Sequence, residues 1–514
     1  MSDDHASLHD ANVNALTYIK YLVSCGLLIF SIFIIMALIF REDTSLAQDA
    51  HPAVAFIVIW VAIIWLSQVE GGQASLVGLP PVDRDLYEES HPIAHRCTSW
   101  AHKGDNLDRY LMGRQFMVLL IVFVINLSGA PTGDAELWEG WPDIIKDIFL
   151  VSGLGMILLT ANVGQLNTQV NASHCMLDYL NSYFALFTLA VAMAIEFSGI
   201  MHASYLIQMA VAAMAGKPIV SNEPPRSAGQ ALFFYARCLM SVCILVGAFV
   251  VTFAALFEGK TTMWSGVPEA VSIILFFVLM AVVGMLEGMQ IAFFAVAKLP
   301  ENERGDSFFA KKTCELLFRG NGQNLPGFMV GRQLCVVSCF FIIARVTTLD
   351  VEVGEGNNIL GVNDGLQEFL NTGLHAAVIT TIVASISWQL VASAFPIAFL
   401  SNPVTYILLN ICLALEATGI CSAAWVIAKV HKSIAGFQYD EVYIGTPEER
   451  RAKKHADKEV DIHDEPGHLT GSAFPAGITP IGSGDNDGNI EVHMGTAEDR
   501  AAVEDDLKLS EEQA

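Results

Sequence analysis

Runs of about twenty residues with almost no charge recur along the chain, and no other feature constrains its folding as tightly. The stretches 21–40 and 267–286 are the clearest. A helix rises about 1.5 Å per residue, so about 20 apolar residues cross a hydrocarbon core of about 30 Å. Lipid offers the backbone no hydrogen-bond partners, so such runs are expected to be helical. Only 16% of the residues are charged, against about 25% in soluble domains.

Ten spans are expected, at about 19–40, 52–69, 112–129, 145–163, 183–209, 231–257, 267–286, 329–349, 370–395 and 405–429. The fifth is longer than a bilayer requires and is expected to tilt, because splitting it leaves pieces too short to span. Two polar loops interrupt the pattern. The stretch 79–110 carries Pro80, Pro81, Arg84, Arg96, Lys103 and Arg109, and 298–326 carries Arg304, Lys311, Lys312 and Arg319. Each has room for a short amphipathic helix.

The net charge of −25 is unevenly spread. After Gly436 there are 19 Asp and Glu against 7 Lys and Arg, which is −12 of the −25. That stretch is rich in Gly, Pro and acids and poor in aromatics, so 436–514 is expected to be largely disordered, with short charged helices at 448–460 and 497–509. An acidic chain is a poor partner for nucleic acid, which is bound through Lys and Arg. Most of the ten cysteines lie in apolar runs, and no CxxC or Cys/His zinc spacing occurs. His174-Cys175 has no matching cysteine in the second half, so no metal site is expected there. The acidic start MSDDHASLHD lacks the basic region of a signal peptide.

An internal repeat organises the membrane part. Glu70-Gly71-Gly72-Gln73 returns as Glu287-Gly288-Met289-Gln290, and Gly113-Arg114-Gln115 returns as Gly331-Arg332-Gln333, at offsets of 217 and 218. Weaker echoes keep the same order: Lys20 with Arg237, Gln165-Leu166 with Gln389-Leu390, and Glu196 and Gly199 with Glu416 and Gly419. Five spans per half is an odd number of crossings, which turns the second half over. The fold class expected is therefore an all-α polytopic membrane protein of ten transmembrane helices in two inverted five-helix repeats, with a disordered acidic C-terminal tail. Its parts are a cytosolic N-terminal segment 1–18, a first repeat 19–216, a second repeat 231–430 and the tail 436–514. Basic residues after span two and at 429–432 and 450–458 favour cytosolic termini. Inversion would put the equally basic loop after span seven outside, against the same bias, but loop charge is only a bias and the repeat outweighs it.

Glu70 and Gln73 share a helix face, as do Glu287 and Gln290. Ionisable groups at membrane depth usually face the protein interior or a water-filled path. Gly71, Gly72 and Gly288 allow close approach or local unwinding. Gln supplies donors and acceptors, and Arg a rigid fork of donors. Two readings stand: Glu70–Arg114 and Glu287–Arg332 as ion pairs that tie helices, or as part of a site that replaces the hydration shell of a neutral polyhydroxyl solute. Glu196 and Glu416, inside apolar spans, are candidates for a cation site or for protonated packing groups. Gln165, Gln389 and Asp178 are further pathway candidates. Glu258-Gly259-Lys260-Thr261 ends like a phosphate-binding loop, but Ala254 stands where its leading glycine belongs, so a nucleotide-driven pump is not expected. No nucleophile, base and oxyanion set can be assembled, so the chain does not read as an enzyme.

The paired EGxQ and GRQ motifs resemble those of the diatom-type silicic acid transporters, and Cys175-Met176-Leu177-Asp178 matches a CMLD motif of diatom members. The resemblance spans about residues 15–432. It implies ten helices, uptake of orthosilicic acid, sodium as the coupling ion with no other cofactor, and a plasma-membrane or silica-handling vesicle location. It assigns Glu70, Gly71, Gln73, Gly113, Arg114, Gln115, Glu287, Gly288, Gln290, Gly331, Arg332 and Gln333 to the substrate site. The partners implied are orthosilicic acid, sodium and the lipid bilayer, with a homo-oligomer left open. A passive channel for a small uncharged solute and a non-transporting membrane sensor are the rivals. The tail lacks the heptads of many diatom members.

Overall fold

The computed structural model describes residues 15–132 and 142–450, apart from 217, 220, 222, 265, 320–323, 355 and 448, together with 481–484 and 490–493. The helices of the first half that have a counterpart in the second are α1 (Ala15–Phe40), α2 (Pro52–Gly78), α3 (Pro92–Ala101), α4 (Asn106–Gly129), α5 (Asp143–Val151), α6 (Leu154–Ala172), α7 (Met176–Leu180), α8 (Tyr183–Phe197) and α9 (Ala203–Met214). The second half repeats the order as α10 (Ala228–Phe257), α11 (Glu269–Ala297), α12 (Phe308–Leu317), α13 (Asn324–Thr347), α14 (Asp364–Asn371), α15 (Leu374–Ala394), α16 (Pro396–Leu400), α17 (Pro403–Glu416) and α18 (Ala423–Ala435). A short hairpin pairs Ile481–Gly484 with Ile490–His493.

Seven of these helices are long and apolar enough to cross a membrane, and eight if α5 and α6, bent by 53°, count as one. Both polar loops hold the expected amphipathic helix. In α3 the buried side chains are Ala94, Cys97, Thr98 and Ala101, and in α12 they are Ala310, Thr313, Cys314 and Leu317, the spacing of one helix face.

The fifth expected span is broken in both halves. The stretch 183–209 separates into α8 and α9 around Gly199, and 405–429 into α17 and α18 around Gly419. Both glycines have left-handed φ, 77° and 83°, a conformation that ends a helix at little cost only for glycine. Each break is closed by the first helix of the opposite half. In α1 the Ser24 hydroxyl donates to the Ile420 carbonyl at 2.7 Å and accepts from the Ala423 amide, while Lys20 donates to the Ala417 carbonyl. In α10, Ser241 makes the equivalent bonds to Ile200 and Ala203, and Arg237 donates to the Phe197 carbonyl at 3.2 Å. The halves also exchange their last helices. Asn171 of α6 donates to the Ala428 carbonyl of α18, and Gln208 of α9 donates to the Leu390 carbonyl of α15. Such reciprocal contacts are what a twofold relation produces.

Helix direction overturns the inverted arrangement. In the first half α6 runs with α2, since Ser67 bonds Val163 and Glu70 bonds Gln169. There α4 runs against α2, with Tyr110 beside Gly72 and Ile59 beside Gly129. Across the halves α15 runs against α4: Ser393 bonds Asp108 at 3.0 Å, and Gln389 bonds Gln115 further along. So α15 runs with α2, as α6 does. The C-terminal ends of α2 and α11 also meet, with Gly78 against the Phe294 carbonyl. Corresponding helices of the two halves therefore point the same way. The cause is the broken fifth unit. Chain leaving α6 packs at this end, with Met176 on Gly78, and chain leaving α9 is back at the start of α4, where Glu223 pairs with Arg109 at 2.7 Å. The segment returns to the end it left, so the second half is not turned over.

The boundary of the tail also moves. Residues just after Gly436 are ordered, and Asp440 is fully buried. The helices expected at 448–460 and 497–509 lie, but for Glu449 and Arg450, outside the described residues.

Candidate functional site

The two EGxQ motifs lie in the last third of α2 and α11, where these helices pack on each other and every motif residue is buried. At their crossing the symmetry mates Gln73 and Gln290 touch, Nε2 of Gln290 donating to Oε1 of Gln73 at 3.4 Å. Each motif glutamate is held by the arginine of the GRQ motif in its own half. Arg114 Nη2 lies 2.6 Å from Glu70 Oε2, and Arg332 Nη1 lies 2.8 Å from Glu287 Oε1. Glu70 is 4% exposed and Arg114 2%. Two buried charges in water-free surroundings persist only when paired in this way.

Amides complete the network, and they cross between halves. Gln333 of α13 donates to Gln165 of α6 at 2.8 Å, and Gln389 of α15 donates to Gln115 of α4 at 3.4 Å. Gln165 and Gln389 also reach the motif glutamates, at 3.5 Å from Glu70 and 2.9 Å from Glu287. Both sit at or just after a stretch of wider π-helical turns, Thr160–Leu166 and Thr380–Ile386, which follow a left-handed glycine at 153 and 373. Such turns often mark functional positions in helices. Gln169, which donates to Glu70 at 2.8 Å, was not singled out from sequence; its place one turn beyond Gln165 on the same face was the available clue.

The motif glycines serve close packing. α2 and α11 stay helical through the motif, with no unwinding. A Cβ on Gly71 would meet the Tyr179 ring, and one on Gly288 the Phe399 ring. Gly113 and Gly331 face the backbone carbonyls of Ala192 and Cys412, so α4 sits directly on α8 and α13 directly on α17. Tyr179 and Phe399 were not singled out from sequence; only their similar spacing from the motifs, 108 residues after Gly71 and 111 after Gly288, could have suggested them.

The remaining candidates lie elsewhere. Glu196 is at the break after α8, 3.3 Å from His202, and Glu416 is at the break after α17, beside Lys20 and Trp425. Asp178 bonds His91 at 3.1 Å and accepts from the Gln438 amide, outside the central cluster.

The chemistry of the cluster follows from its inventory. Two carboxylates and two guanidiniums cancel, leaving a neutral site. Some buried polar atoms have no partner among the described residues: Nε of Arg114 and Arg332, Nε2 of Gln73, and Oε1 of Gln169 and Gln389. Unmet donors and acceptors of this kind are costly without a ligand or water. They suit a small neutral solute that both donates and accepts hydrogen bonds.

A family model described as a silicon transporter matches residues 12–513. The chain belongs to the silicon transporter family. Membership in this family and the long apolar helices make it an integral membrane protein and a transporter. No curated protein and no solved structure matches it.

Proposed function

We propose that this silicon transporter is a secondary active carrier that takes up orthosilicic acid, coupled to sodium and working by alternating access between its two parallel halves. The observation that carries the reading is the neutral, twofold cluster around Gln73 and Gln290, fed by both halves and holding unpaired donors and acceptors. Orthosilicic acid is small, tetrahedral, rich in hydroxyls and uncharged near neutral pH. The amides and the free edges of Arg114 and Arg332 can bond its hydroxyls, while Glu70 and Glu287 keep the arginines from favouring an anion. Because cross-half bonds meet at the cluster, a small rotation of one half against the other would open it at one end and close it at the other, as parallel-repeat transporters do.

A neutral solute gains nothing from the membrane potential. Accumulation needs a cation, and one sodium ion contributes about 2.3 kcal/mol per 100 mV. The helix breaks at Glu196 and Glu416 are our candidates for the coupling pathway. The end that carries 79–105, 298–319 and 429–432 gathers the basic loops of both halves, and the positive-inside bias favours a cytosolic position for it and for both termini. A plasma membrane in an organism that builds silica is the setting this function fits.

The test is uptake of silicic or germanic acid in oocytes or proteoliposomes. The expected result is concentrative, sodium-dependent uptake that falls in the Gln73→Ala/Gln290→Ala double variant at unchanged surface expression. Uptake unaffected by replacing sodium with choline would sink the coupling, and flux that never exceeds equilibrium would favour the passive channel.

A further inference from the structure

The short segment after α18 crosses from one half to the other at the basic end. Asp440 is its anchor. Its amide donates to the His174 carbonyl at 3.0 Å, its Oδ1 accepts from the Leu177 amide at 2.9 Å, and its Oδ2 lies 3.1 Å from Lys298 Nζ. His174 and Leu177 follow α6 of the first half, and Lys298 ends α11 of the second. Glu441 adds a 2.7 Å bond to the same ammonium. Burial disfavours the Lys298 charge, but Asp440 and Glu441 outweigh it and hold its pKa above the usual value. The Gln438 amide donates to Asp178 at 2.6 Å, Tyr443 sets its edge on His91, and the Phe437 ring packs 6.0 Å from Tyr179. Tyr179 is the ring that lies on Gly71 of the first EGxQ motif. The equivalent stretch after α9 makes no such bridge among the described residues: Ser221 and Glu223 bond Asp105 and Arg109 of their own half.

From this geometry we infer that the segment 437–447 is an intramolecular latch, tying the two halves together at the basic end and holding Tyr179 closed over the substrate cluster. The inference rests on the proposed movement of one half against the other. The Asp440–Lys298 pair has no twofold mate among the described residues, so it biases the transporter toward the state closed at this end. Substrate release at this end requires Asp440 to leave Lys298 or the His174–Asp178 turn.

Two measurements on the full chain test it. First, Cys175 lies buried beneath the latch. An Asp440→Asn/Glu441→Gln variant should expose it to a membrane-impermeant maleimide roughly tenfold faster, the order expected when charge-assisted hydrogen bonds are lost from the closed state alone. Glu441→Gln by itself should give a smaller increase and guards against misfolding of the double variant. Second, an Asp178→Cys/Gln438→Cys pair, oxidised and verified by mass, should slow silicic acid uptake at least about fivefold, with recovery on reduction. Cys175 labelling at the parental rate in both variants, or a cross-linked pair that transports like its reduced form, overturns the latch. If the parent chain itself moves no silicic acid, the transport reading fails, and the labelling still decides whether the segment seals this end.

Discussion

Glu70 and Arg114 illustrate how a buried side chain serves two ends. The pair ties α2 to α4, and it also stands at the edge of the amide cluster. The two roles separate by experiment. Glu70→Gln leaves Arg114 charged and unpaired in the interior, and should cost roughly 3–5 kcal/mol, read as a lower thermal midpoint in detergent. Glu70→Gln/Arg114→Met removes both charges and should regain most of that stability. Uptake that returns with stability would make the pair purely structural, whereas a stable but inactive double variant assigns it to the site. Glycine at 331 is tested more simply. Alanine there would press on the Cys412 carbonyl, and overpacking of this kind costs about 1–3 kcal/mol. Alanine at 327 meets only the end of Leu413 at 3.6 Å and serves as the control.

Among the elements, the broken fifth unit decides most. A continuous helix over 183–209 would carry the chain to the far side, while the break at Gly199 brings it back. The exposed carbonyls and amides of each break are met by a serine and a basic residue from the other half, an arrangement no local sequence rule signals. Ser241→Ala should leave the Ile200 carbonyl and the Ala203 amide unbonded, at about 1–3 kcal/mol. Hydrogen exchange at 198–204 should speed up while the rest of α8 stays protected. Unchanged exchange there would show that the serine is not what closes the break.

For the whole molecule, parallel halves put both basic loops at one end, and the conflict between repeat and loop charge disappears. That is directly measurable. Single cysteines at Glu88 and Lys312, both exposed, should react with an impermeant reagent from the same side of sealed vesicles. Reaction from opposite sides would restore the inverted arrangement and remove the shared basic face on which the latch depends.

The sequence by itself determined that this chain is a helical membrane protein, that it is doubled, which family it resembles, and which carboxylates, amides and guanidiniums recur. Those features are local: apolar run length, motif spacing and residue chemistry need no knowledge of the partner helix. It also contained Gly199 and Gly419 and the basic loops that argued against inversion, but hydropathy averages over a glycine and reads through a break. Only the tertiary structure decided helix direction, the exchange of α9 and α18 between halves, the meeting of Gln73 with Gln290, and the docking of Asp440 on Lys298. Each joins residues far apart in the chain, through contacts that exist only once the helices have packed.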